Sequence, residues 1–138
     1  MNTNPTRAHI IKLPKILDPR GNLSVLEEEN EIPFAIQRTY WIYDVPGGEI
    51  RGANAFKQQQ VFVVALSGSL EVVVFDGVKE NKFLLNRADF GLYIPNMLWY
   101  HMENFSTNTV TLVVSSSVFN EGDYVRNIDE FMQIRRDE

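Results

Sequence analysis

The 138-residue sequence contains no cysteine. That excludes disulfides, thiolate metal sites and a cysteine nucleophile, and leaves the fold to a packed core. There are only two histidines, His9 and His101, so imidazole chemistry rests on those two positions. Positive charge is also scarce. Thirteen Lys and Arg against 18 Asp and Glu give a formal net charge of −5. A general basic footprint for nucleic acid is therefore missing, and an anionic ligand would need a local cluster of arginines. Long apolar runs are missing too. The longest, Val61 to Leu66, is far short of the roughly 20 residues a membrane helix needs. Lys12, Pro14 and Lys15 interrupt the apolar residues near the N-terminus, which leaves no signal-peptide core. These features read as a soluble, cytoplasmic protein with no membrane or nucleic-acid partner.

What is present is a succession of short β-prone segments separated by turn signals. His9 to Leu13 comes first, then the turn Asp18-Pro19-Arg20-Gly21-Asn22, then Leu23 to Glu27. Phe34 to Tyr43 is rich in aromatic and β-branched residues and stops at Pro46-Gly47-Gly48. Ile50 to Phe56, Val61 to Leu66 and Leu70 to Phe75 follow, and Asp76-Gly77 has the chemistry of a hairpin turn. The last strand candidates are Lys82 to Leu85, Gly91 to Ile94, Trp99 to Glu103 and Val110 to Phe119. A helical period is seen only in Asp123 to Arg136. The expected fold is all-β, a sandwich or barrel of antiparallel strands with a short C-terminal helix, in one domain over residues 1–138.

Two ordered segments are similar to the paired motifs of the cupin superfamily: Gly48-x5-Asn54-x-Phe56-x3-Gln60 with Gly68, and Pro95-x4-Tyr100-x3-Asn104. In that superfamily Asn54 and Phe56 would commonly be histidines, Gln60 a glutamate and Tyr100 a third histidine, all pointing into the barrel. Further pieces narrow the resemblance. Asp18-x-Arg20-Gly21-x-Leu23, Ile32-Pro33-Phe34-x-Ile36-x-Arg38-x-Tyr40, Tyr43-Asp44, Arg51-Gly52, Phe105-Ser106 and Asp123-Tyr124-x-Arg126 resemble the dTDP-4-keto-6-deoxyglucose 3,4-ketoisomerases. The related sugar-modifying cupins of surface polysaccharide clusters share this likeness. The match runs from about residue 10 to residue 130. It implies a double-stranded β-helix jelly-roll barrel that binds a dTDP-sugar or other sugar nucleotide. It also implies a homodimer in which the segment His9 to Leu13 reaches the partner's sheet.

A 3,4-ketoisomerase must take a proton from beside a ketone, stabilise an enediolate and return a proton to the neighbouring carbon. The base needs hydrogen-bond reach and a pKa near the working pH. In the family a His-x-His pair on one strand face supplies it. Here that pair is Asn54 and Phe56. An amide cannot take a proton in this range and a phenyl ring can do nothing of the kind. Tyr100 has a phenol with a high ordinary pKa. His101 has a suitable one, but in a regular strand it faces away from Tyr100 and needs a bulge to reach the pocket. Tyr100, His101 and Glu103 are thus the acid/base candidates, Tyr100 and His101 first among them. Asn54 and Gln60 are read as buried amides in search of partners. Amide, phenyl, amide and phenol make a poor transition-metal set, so no metal or other cofactor is expected.

Arg20 and Arg51 match family positions associated with the diphosphate, which suits a guanidinium fork. The alternative for each is a surface ion pair with a nearby acid, Asp18 or Glu49. Arg38 matches as well, with a structural role equally open. Tyr40 and Tyr43 are candidates for the pocket or for stacking on a base, with core packing as the alternative for each. Three functions remain in competition: a sugar-nucleotide isomerase with a rearranged acid/base set, a non-catalytic sugar-nucleotide binder, and an interaction protein with an empty barrel.

Overall fold

A computed structural model describes residues 7–138. In chain order its strands are β1 (His9–Lys12), β2 (Lys15–Ile16), β3 (Leu23–Ser24), β4 (Arg38–Ile42), β5 (Arg51–Phe56), β6 (Val61–Ser67) and β7 (Leu70–Phe75). They continue with β8 (Glu80–Leu85), β9 (Phe90–Ile94), β10 (Trp99–Glu103), β11 (Val110–Ser115) and β12 (Tyr124–Val125), and end in helix α1 (Ile128–Arg136). Two antiparallel five-stranded sheets carry the fold. The first has the order β1-β9-β6-β11-β4 and the second β12-β5-β10-β7-β8. A small hairpin of β2 and β3 stands apart from both. The all-β jelly-roll expectation with its C-terminal helix is met.

The core lies between the two sheets. Val61, Val63 and Ala65 of β6, Leu70, Val72 and Val74 of β7, Leu92 and Ile94 of β9, and Val113 of β11 meet there. The apolar run Val61 to Leu66 does not alternate because β6 is covered on both faces. Its residues Phe62 and Val64 point outward and pack beneath Ile32 and Phe34. That packing explains one departure from expectation. Phe34 to Gln37 is not strand, because Ile32 and Phe34 serve as a buried plug over the outer face of the first sheet.

The end of the chain departs in a second way. Asp123 does not start the helix. Its carboxylate accepts from the amides of Gln58 (2.8 Å) and Gln59 (3.0 Å), and Tyr124 and Val125 then pair with Phe56 and Ala55 of β5. The helix begins only after Asn127, whose side chain accepts from the amides of Asp129 and Glu130. Asp129 and Glu130 in the first turn and Arg135 and Arg136 in the last complement the helix dipole. Phe131, fully buried, anchors the helix on the outer face of the second sheet against Ala55, Val125 and Met97. This docking fixes β12 at the edge of β5, beside the cavity described next.

Candidate functional site

Between the sheets a cavity of about 340 Å³ opens to solvent, lined by residues of β4, β5, β10 and β12. Alternation on β4 turns Arg38, Tyr40 and Ile42 inward while Trp41 is exposed. On β10 the inward residues are Tyr100 and Met102, and Tyr124 and Arg126 reach the rim from the C-terminal segment. On β5 they are Asn54 and Phe56, with Arg51 joining them.

Arg51 joins by a change of parity. Positions 51 and 54 differ by an odd number, so a regular strand would send them to opposite faces. Tyr100 pairs with Asn54, but His101 pairs with Gly52 and Met102 with Arg51. Ala53 is therefore an extra residue, a bulge in β5, with φ of +65° at Ala53 and +91° at Gly52. Glycine is needed beside it: a side chain at Gly52 would lie 3.3 Å from the Tyr100 carbonyl oxygen. The bulge returns Arg51 to the cavity face.

The lining is rich in donors without partners. The Nδ2 of Asn54 and the Nε of Arg38 are buried and make no hydrogen bond. The Arg38 guanidinium lies 4.8 Å from the Tyr40 ring centre, and among the described residues no carboxylate comes within 4 Å of Arg38 or Arg51. Arg126 is held by Glu121 through two 3.0 Å hydrogen bonds and stacks 4.0 Å over Tyr124. Tyr100 is buried, which pushes its phenol well above the ordinary range; the nearby Tyr40 and Tyr124 add to this, and Arg38 opposes it. Burial also raises Tyr40, against the pull of Arg38. At neutral pH both phenols are protonated and can donate.

Of the residues expected from sequence, the cavity collects Arg51, Asn54 and Tyr100. The others lie elsewhere. A register shift lies beside His101, but its extra residue is in β5 and not in β10, so His101 keeps its place opposite Val73 and faces out, as a regular strand implies. There its Nε2 meets Glu103 Oε1 at 2.7 Å, and that contact, together with Lys82, holds the Glu103 carboxyl below its usual range. Gln60 is not a pocket residue either. Its Oε1 accepts from the Tyr93 hydroxyl at 2.5 Å, on the outward side of the first sheet. Arg20 takes the alternative ion pair, two bonds of 3.0 and 2.8 Å to Asp18 on an exposed hairpin. Tyr43, one step beyond Ile42, is 61% exposed and lies beside Trp41 and Thr109. Arg38 and Tyr40, for which the sequence left a structural role open, also line the cavity, and the alternation Arg38-x-Tyr40-x-Ile42 is the signal that points to them; Tyr124 and Arg126 were not expected as site residues. Among the described residues no group of three or more His, Asp and Glu could hold a metal ion.

The family model described as "FdtA: WxcM-like, C-terminal" matches residues 6–136. The chain belongs to this family. It is 38% identical over 122 residues, 88% of either chain, to the TDP-4-oxo-6-deoxy-alpha-D-glucose-3,4-oxoisomerase of Aneurinibacillus thermoaerophilus. Among solved structures it is similar to a 3,4-ketoisomerase from Helicobacter canadensis, with a TM-score of 0.91 and 38% identity over 94% of this chain and 97% of that one. It is also similar to the ketoisomerase QdtA of Thermoanaerobacterium thermosaccharolyticum. A histidine-to-asparagine mutant of QdtA, in complex with TDP-4-keto-6-deoxyglucose, gives a TM-score of 0.93 and 32% identity over 100% and 98%. The lining of the present cavity contains neither imidazole nor carboxylate.

Proposed function

We propose that this protein binds a TDP-linked 4-keto-6-deoxyhexose in the cavity between its sheets. The diphosphate lies on Arg38 and Arg51, and the keto sugar faces Asn54 and Tyr100. The observation that carries this reading is the set of unmatched donors. Among the described residues, Asn54 Nδ2 and Arg38 Nε are buried without partners and neither Arg38 nor Arg51 has a carboxylate within 4 Å, in a chain of net charge −5. Buried donors are costly unless a ligand or water meets them. Guanidinium forks fit diphosphate oxygens. The ligand class is that of the Aneurinibacillus relative's name, and the QdtA mutant holds TDP-4-keto-6-deoxyglucose with a histidine changed to asparagine.

Moving a carbonyl from C4 to C3 requires a base at C3, donors for the enediolate oxygens and a proton for C4. Donors are abundant here. A base is not: burial keeps Tyr100 and Tyr40 protonated. The arrangement therefore favours recognition of the sugar nucleotide with little or no turnover. A second reading, slow isomerisation through tyrosine, draws on Arg38, which pulls both phenols downward. Tyr100 would then be the acid/base residue, and His101 would act only through a rearranged β10.

The test is incubation with TDP-4-keto-6-deoxyglucose followed by NMR, alongside calorimetric titration with TDP. TDP binding without 3-keto product is the expected result. Product would establish the second reading. Failure of both TDP and the TDP-sugar to bind would overturn the assignment in favour of an interaction protein. We place the protein in the cytoplasm on the grounds of such a ligand; no described helix is long and apolar enough to cross a membrane. Homodimerisation is part of the same proposal, supported by exposed Trp41, Tyr43 and Leu66, and is checked by the mass in solution.

A further inference from the structure

We infer that Phe119 is the platform on which the nucleobase of the bound nucleotide stacks. This rests on the sugar-nucleotide reading above and assigns its outer end. Phe119 is 57% exposed, although it is a large aromatic in a short loop after β11. It borders the cavity rim: its ring centre is 5.6 Å from the Arg38 guanidinium and 5.8 Å from the Tyr124 ring. A cavity of about 340 Å³ is at the small end of ligand sites, enough for a hexose and part of a diphosphate but not for a whole sugar nucleotide. With the diphosphate on Arg38, the nucleoside must emerge at the rim, where Phe119 stands.

The loop beneath Phe119 is firmly tied, as a platform requires. The Ser116 hydroxyl accepts from the Gln60 amide at 2.8 Å, and the Ser116 amide donates to the Gln60 carbonyl at 3.0 Å. The Ser115 hydroxyl donates to the Ser117 carbonyl oxygen at 2.8 Å, and the Ser117 hydroxyl donates to Gln59 Oε1 at 3.1 Å. A pre-positioned aromatic face loses little entropy when a flat ring settles on it. Such a face discriminates poorly between bases, because every base offers a π-surface. The nucleotide preference of this protein should accordingly be broad.

The experiment is calorimetric titration of the full chain and of F119A, F119L and F119W with TDP, UDP and inorganic pyrophosphate. Removing a base-stacking aromatic costs on the order of tenfold in affinity. F119A and F119L should both bind TDP roughly tenfold more weakly, leaving pyrophosphate unchanged; F119W should bind TDP at least as tightly as the parent. Leucine keeps the apolar cover over Tyr124, so a merely structural role would spare F119L. If the parent binds TDP and all three variants match it, the platform is overturned and the cavity reading stands. If the parent binds neither TDP nor pyrophosphate, both fall. A UDP affinity within severalfold of that for TDP supports the platform, and strict selection of thymine would refute it.

Discussion

Replacing Arg38 with methionine should stabilise the empty protein and disable it as a binder. Arg38 holds a buried Nε without a partner, and no carboxylate among the described residues lies within 4 Å. An unsatisfied buried donor costs roughly 1–3 kcal/mol. The guanidinium recovers part of this from the Tyr40 ring at 4.8 Å, a contact worth about 0.5–2 kcal/mol. Methionine reaches only as far as the Nε position, so it removes the orphan and gives up the cation–π contact, and the net gain is about 1 kcal/mol. For a chain of this size that raises Tm by about 4 °C. Ligand reverses the order. At a TDP concentration of 100 Kd the parent gains about 2.7 kcal/mol, or about 10 °C. A lost charge-assisted contact of roughly 1.5–3 kcal/mol should erase most of that gain in Arg38→Met. The assay is thermal unfolding of both proteins with and without TDP, in one buffer. A variant that melts lower than the parent when empty and still gains the full shift with TDP would refute both halves of the reasoning.

Restoring imidazole by N54H with F56H should raise 3,4-ketoisomerase turnover by about 10²-fold, the low end of general-base catalysis, read by NMR. No rise in a folded variant that still binds TDP would show that more than the base is missing. Phe131→Ala should cost about 3–5 kcal/mol in denaturant unfolding, because its ring is fully buried. The same change should also weaken TDP binding, since the helix holds β12 and with it Tyr124 and Arg126. Asp76 accepts from the amides of Lys79 and Val78, and these hold its carboxyl below the ordinary 3.8. Its contribution is complete above that unfolded value and is lost as pH falls through the lower folded one. Asp76→Asn should therefore lower Tm at neutral pH and lose that difference in strong acid.

Much of the fold could be read in the sequence because strand and turn chemistry are local. Asp76-Gly77 and the apolar runs at 61–66 and 70–75 sit where their composition places them. Tertiary competition decided the exceptions. Phe34 reads as strand by propensity but is claimed by an outward cluster, and Asp123 reads as helix but is claimed by the amides of Gln58 and Gln59. The site was legible where alternation was regular. Asn54 and Tyr100 share a face across a paired register, as their spacing implies. Gln60 was lost because it lies past the end of β5, where alternation carries no information. Arg20 and Tyr43 were chosen by resemblance, and in a single chain they meet no part of the cavity.

The extra residue in β5 decides where Arg51 points. Were the strand to pair regularly with Ala53 in place, Ala53 would sit opposite His101, Gly52 opposite Met102, and Arg51 would swing to the outer surface. Delete Ala53 and the bulge goes with it: Arg51 keeps Met102 as its partner and, now two residues from Asn54, stays on the cavity side. A homologous sequence with a single gap here therefore keeps its rim cation on a flat strand, whereas flattening the strand at full length would remove that cation without altering a side chain.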